Sequence, residues 1–138
     1  MQFCGAIWHS GIFSVPNFII QSDLLDPENS FQGPPHIWLN EHNLTKHDPS
    51  RPERLAKWKN APPTLVSHSD KDYRVPITDG LAVMNTLLAH GVPCRFLTFS
   101  DEGHWVVKPE NSRMWHETVF DWMDKCVTGT IKRGDKTW

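Results

Sequence analysis

The second half of this 138-residue chain alternates short β-patterned runs with amphipathic helical runs, and that alternation restricts the fold more than any other feature. Thr64-Leu65-Val66-Ser67-His68 follows Pro62-Pro63 and reads as a strand. Thr78 then opens a helix on which Leu81, Met84, Leu87 and Leu88 share one face until Gly91 stops it. Cys94 to Phe99 is the next strand. A second helix, from Pro109 or Asn111, carries Met114, Trp115, Thr118, Val119, Trp122, Met123 and Cys126 as a continuous stripe. Strand–helix–strand–helix at this spacing predicts a parallel sheet with right-handed crossovers, and hence the α/β class. Two or three strands with two long helices cover both faces of a parallel sheet poorly, so the chain is expected to be the end portion of a larger domain.

The first half is patterned more weakly. Phe3 to Trp8 is a short apolar run ending at His9-Ser10-Gly11, which reads as a buried strand and a turn. Asn17 to Leu25 and Pro52 to Trp58 are candidate short helices, the second because Pro is tolerated in a first helical turn. Residues 26 to 63 hold most of the eleven prolines beside many Asn, His and Asp, and are expected to be largely loop. Glycines and basic residues after 128 predict a frayed tail over 129–138, with the body of the domain at 1–128.

Composition excludes several classes. With 38% hydrophobic and 22% charged residues the chain can form a packed core. A net charge of −2, with no basic run longer than Lys132-Arg133, argues against nucleic acid as a partner. No stretch is long and apolar enough to span a membrane. Met1-Gln2-Phe3-Cys4 opens without a charged or leader-like segment, so no export signal is expected in this chain. Cys4, Cys94 and Cys126 are too few and too widely spaced for a disulfide framework or a CxxC metal site, and read as buried thiols. His36, His42 and His47 share one loop but match no ligand spacing, so no metal is expected. Asn43-Leu44-Thr45 is a glycosylation sequon that matters only if a longer parent protein is secreted.

In open α/β sheets function gathers beyond the carboxyl ends of the strands, so the loops leaving residues 68 and 99 are the candidate site. The first reads His68-Ser69-Asp70-Lys71-Asp72-Tyr73-Arg74-Val75-Pro76; the second reads Ser100-Asp101-Glu102-Gly103-His104-Trp105. If the two strands are neighbours, Asp72 and His104 meet. A carboxylate on one ring nitrogen fixes the tautomer of a histidine and stabilises its imidazolium, the arrangement a general base for a serine requires. Asp70 is the local competitor for Asp72, two residues nearer the strand.

These residues resemble the prolyl oligopeptidase family of serine peptidases. His68 to Pro76 is similar to that family's HGxxDxxVP segment, and Asp101-Glu102-Gly103-His104 to its histidine loop. Ala61-Pro62-Pro63-Thr64-Leu65-Val66, Ile77-Thr78-Asp79-Gly80-Leu81, Gly91-Val92-Pro93 and Lys108-Pro109-Glu110-Asn111-Ser112 resemble the family's fungal dipeptidyl-peptidase members in particular. The resemblance implies the carboxyl-terminal portion of an α/β-hydrolase catalytic domain that releases N-terminal dipeptides from peptide substrates. Asp72 would be the triad acid and His104 the base, with Arg74 at the substrate's P2 carbonyl and Val75 lining the S1 pocket. No cofactor is implied, and secretion follows only if the parent shares it with that fungal branch. Trp105 would shape the site entrance. Phe13, Phe18 and Ile19 are either part of a hydrophobic pocket wall or the packed face of a helix.

One departure is decisive. The α/β-hydrolase order is Ser, then acid, then His, with the nucleophile on a G-x-S-x-G elbow. Serines 10, 14, 22, 30, 50, 67, 69, 100 and 112 all lack the flanking glycines. The chain is therefore expected to be inactive alone, with the missing amino-terminal half of the domain as a candidate partner. Two alternatives stand beside this reading: a non-catalytic truncated module, and a portion of another acyl hydrolase such as an acylaminoacyl peptidase or an esterase.

Overall fold

The computed structural model describes residues 3–24, 46, 48–132 and 134. Three strands, β1 (Ala6–His9), β2 (Thr64–Ser69) and β3 (Cys94–Phe99), form one parallel sheet in the order β1-β2-β3. Between β1 and β2 the described residues form α1 (Val15–Gln21), α2 (Pro52–Leu55) and a 3-10 turn (Trp58–Asn60). Helix α3 (Ile77–Ala89) joins β2 to β3, and α4 (Pro109–Val127) follows β3. No helix of the described residues is long and apolar enough to cross a membrane.

Local chemistry sets the boundaries. Ser14 caps α1, its hydroxyl accepting from the Asn17 amide, so the helix starts two residues before the expected Asn17 and ends at Gln21. The helix expected over Pro52–Trp58 breaks at Ala56 and resumes as the 3-10 turn. Pro109 supplies the first turn of α4, where its missing N–H costs nothing. Gly91 ends the reach of α3 with a left-handed φ of 64°, a conformation that favours glycine.

The two faces of the sheet carry separate cores. Val66 and Cys94 pack with Val83 and Leu87 of α3, Val92 and Phe13, and Trp8 and Trp58 lean against them. On the other face Leu65 packs with Val119, Trp122 and Cys126 of α4, joined by Ile7, Leu97, Trp115 and Ile131. Strand alternation sends neighbours Leu65 and Val66 to opposite faces. Leu65, Val66, Val83 and Leu87 are fully buried, each contributing about 1.5–3 kcal/mol.

Three expectations need correction. On α3 the buried face is Asp79, Gly80, Val83 and Leu87, while Leu81 and Leu88 are about half exposed. The stripe on α4 is narrower than expected, with Met114 and Met123 also about half exposed. Val83 and Leu87 meet Val66 and Cys94, and Val119, Trp122 and Cys126 meet Leu65, which leaves the flanking apolar residues outside these contacts. The third concerns the thiols: Cys94 and Cys126 are buried, and Cys4 is exposed. Burial pushes the Cys94 thiol up to about 11, and pushes the Cys126 thiol up as well.

The expected boundary at 128 falls on the C-cap of α4. Beyond it Ile131 returns to α4, its amide donating to the Lys125 carbonyl at 3.1 Å. The sequon at Asn43, the histidines 36, 42 and 47, and residues 133 and 135–138 lie outside the described residues.

Candidate active site

Strand β2 is buried along its whole length, and after Thr64-Leu65-Val66 its carboxyl end holds three polar residues in a row, Ser67-His68-Ser69. Buried polar residues cost stability unless they are bonded, so their concentration at one end of a central strand marks that end. Parallel register places Ser69 beside Phe99 at the same edge of the sheet. The ladder then continues past the strands, with the Asp70 amide donating to the Phe99 carbonyl at 3.0 Å and the Lys71 amide to the Glu102 carbonyl at 3.1 Å. These two bonds bring the acid loop against the histidine loop.

Asp72 is buried, 3% exposed, at the centre of that junction. One oxygen, Oδ1, accepts from the backbone amides of Arg74 at 3.0 Å and Val75 at 2.9 Å. The other, Oδ2, lies 2.9 Å from Nδ1 of His104. A carboxylate only accepts, so Nδ1 of His104 carries the hydrogen and Nε2 is the ring nitrogen able to exchange a proton with a reacting group. The His104 side chain is 26% exposed, open on one side, whereas Asp72 is sealed. Asp70 is exposed, and its Oδ1 accepts from the Thr98 hydroxyl at 2.8 Å.

The histidine loop has its own anchor. Glu102, 2% exposed, accepts from the amides of Val107 and Lys108 and from the Asn111 side chain, pinning the loop to the start of α4. Burial alone would raise its carboxyl, but the bonds from Asn111, Lys108 and Val107 prevail and hold it below the ordinary value. Asp101 beside it pairs with Lys108 and Asn111, and the Lys108 ammonium holds it low too.

The other expected residues sit as follows. Arg74 reaches Asp23 at 3.1 Å and lies over the Trp105 ring at 5.4 Å. Trp105, 63% exposed, meets the His104 ring edge-on at 5.2 Å. Val75 is buried at 3%, and its backbone serves Asp72 through the amide and His68 through the carbonyl. Phe13 belongs to the core, stacked edge-on with Trp58, and Phe18 is buried in α1. No group of three or more His, Cys, Asp or Glu able to hold a metal is present among the described residues.

Three features escaped sequence reasoning. Asp79, buried in the first turn of α3, accepts from the Phe13 and Ser14 amides at 2.8 and 2.7 Å and so fixes the loop after β1. Its place near a helix start, where negative charge is favoured, was a legible signal. Ser10, at a φ of 44°, is a non-glycine residue in the left-handed region, next to the same edge. His9, Ser67 and Trp115 form a small cluster in which the indole N–H of Trp115 donates to the Ser67 hydroxyl at 3.1 Å. Nothing local in the sequence announces either of the last two.

The chain is similar to known proteins over most of its length. The family model described as the prolyl oligopeptidase family matches residues 1–130. Dipeptidyl-peptidase 5 of Aspergillus fumigatus is 42% identical over 124 residues, covering 90% of this chain and 17% of that protein. Probable dipeptidyl-peptidase 5 of Emericella nidulans is 41% identical over the same span. The chain therefore spans about a sixth of the length of these curated relatives. Among solved structures, the Pyrococcus horikoshii acylaminoacyl peptidase superposes with a TM-score of 0.74 at 20% identity, covering 99% of this chain and 22% of that one. A puromycin-hydrolyzing peptidase of Mycobacterium tuberculosis gives 0.73 at 19% identity, over 88% of this chain and 18% of that one. At such identities these two likenesses bear on the fold alone.

Proposed function

The chain belongs to the prolyl oligopeptidase family, and on that premise we propose that residues 1–128 are the carboxyl-terminal part of a serine peptidase's α/β-hydrolase domain. Asp72 and His104 are its triad acid and base. The observation that carries this reading is the 2.9 Å contact between His104 Nδ1 and a sealed, doubly amide-bonded Asp72, made across the ends of adjacent parallel strands.

The chemistry follows from the atoms. With Nδ1–H held by Asp72, Nε2 of His104 presents a lone pair. It takes the proton of a serine hydroxyl as that oxygen attacks the peptide carbonyl, and the imidazolium so formed is stabilised by the Asp72 carboxylate. The same proton passes to the leaving amine, and water then repeats the sequence on the acyl-serine. Arg74 and Trp105 flank the open side of His104 and are suited to contact the substrate backbone.

No G-x-S-x-G elbow occurs in these 138 residues, and on this reading the serine and its oxyanion donors belong to the part of the hydrolase domain that pairs with this one. Among the described residues β1 pairs only with β2, and its other edge is open to a strand. Release of N-terminal dipeptides is favoured over other acyl transfers because the relatives about 40% identical over 90% of this chain are dipeptidyl-peptidases 5.

The test uses a dipeptidyl chromogenic substrate. The chain alone gives no turnover; joined to the remaining strands and a serine elbow it does, and His104→Ala abolishes it. Serine-dependent turnover by the chain alone would overturn the proposal.

A further inference from the structure

His68 is fully buried at the end of β2, and the mechanism above gives it no task. Its surroundings are specific. Nε2 lies 2.7 Å from the Val75 carbonyl oxygen, and because a carbonyl only accepts, Nε2 carries the ring hydrogen. The same nitrogen is 3.4 Å from Oδ2 of Asp72, the oxygen that receives His104. Nδ1 has no hydrogen-bond partner among the described residues. It faces Gly80 of α3, where a Cβ would come within 2.7 Å of Nδ1 and 2.9 Å of the His68 Cβ. Glycine at that position lets α3 close over the ring and press it toward the loop.

The Val75 carbonyl belongs to the turn whose amides, from Arg74 and Val75, hold Oδ1 of Asp72. Fixing that carbonyl fixes the turn, and the turn fixes the carboxylate. We propose that His68, in its Nε2–H tautomer, is a positioning residue: it clamps the Asp72–Val75 turn from beneath and keeps Oδ2 aimed at His104. This rests on reading Asp72 and His104 as the acid–base pair. A hydrophobic residue of similar size would fill the space and leave the Val75 carbonyl buried without a donor, a cost that the turn relieves by shifting. Glutamine, whose amide nitrogen reaches about as far as Nε2, can restore the bond.

Nitrogen-detected magnetic resonance of the ring nitrogens in the full 138-residue chain tests this. In the unsubstituted chain His68 is expected as the Nε2–H tautomer, and His104 as the Nδ1–H tautomer with a slowly exchanging proton. His68→Leu is expected to lose the His104 signature, and His68→Gln to restore it. The inference is overturned if His68 carries its hydrogen on Nδ1 or exchanges it freely, or if folded His68→Leu keeps the His104 signature unchanged. Should His68→Leu fail to fold, His68→Gln decides: retention of the signature supports the clamp, loss overturns it. Absence of the His104 signature in the unsubstituted chain would instead count against the catalytic reading, so the two failures are distinct.

Discussion

Nδ1 of His104 lies 2.9 Å from Oδ2 of Asp72, although 32 residues separate them, because two parallel strands in register end side by side. The loops do not find each other by chance flexibility. The Asp70 and Lys71 amides extend the β2–β3 ladder beyond the strands, and Glu102 locks the far side of the histidine loop. The pair is built on the ends of two hydrogen-bonded strands, as a site that must hold its geometry requires.

The tautomer of His104 should therefore depend on Asp72. In Asp72→Ala the Nδ1 hydrogen loses its only acceptor among the described residues, and the ring should relax to a mixture of tautomers. Magnetic resonance of the ring nitrogens reads the change directly. An unaltered Nδ1–H tautomer in a folded Asp72→Ala chain would show that the carboxylate does not orient the ring.

Asp79 and Glu102 should give stability opposite dependences on pH. Burial raises the Asp79 carboxyl above 3.8 against the pull of the Ser14 and Phe13 amides. Its contribution is fully present below 3.8 and is lost as pH rises through the raised folded value. Glu102 is held below 4.5, so its contribution is present above 4.5 and is lost as pH falls through the folded value. Denaturant unfolding of Asp79→Asn should remove a falling limb of stability above pH 3.8, and Glu102→Gln a rising limb below 4.5. Identical pH profiles for the two variants and the unsubstituted chain would refute both assignments.

Gly80→Ala should be destabilising out of proportion to one methyl group. The added Cβ would come 2.7 Å from Nδ1 of His68, at a place closed by β2 on one side and α3 on the other. Overpacking of this kind costs about 1–3 kcal/mol, despite the better helix propensity of alanine. A midpoint of denaturation equal to or above that of the unsubstituted chain would show that the ring has room to move.

Thiol chemistry should separate the cysteines. Cys94 is buried, with its thiol pushed up to about 11, and Cys126 is buried and raised too, while Cys4 is exposed. Labelling of the native chain should modify Cys4 promptly and reach the other two only on unfolding. Equal labelling of all three in native conditions would contradict the packing of α4 on the sheet.

Much of this was legible in the chain itself. The alternation of strand and helix from Thr64 onward fixes a parallel sheet, and β3 runs over the six residues, Cys94–Phe99, that its pattern marks. The facing of Asp72 and His104 follows from that topology. Helix faces were less legible. Leu81 and Leu88 satisfy helical periodicity as well as Val83 does, and the packing of Val83 and Leu87 on Val66 and Cys94, with Gly80 close to His68, is a tertiary choice that periodicity does not encode. The loop after β1 was opaque for a different reason: its geometry is set by Asp79, 65 and 66 residues away, and no local propensity encodes so distant an acceptor.

The most direct test of the account is kinetic. In the chain joined to the remaining strands and a serine elbow, turnover of a dipeptidyl chromogenic substrate should fall about 10⁴-fold in kcat for Asp72→Asn. His104→Ala should bring it to the background of the serine-less chain. Turnover that survives both substitutions within a few-fold would contradict the assignment of Asp72 and His104 as the acid and base.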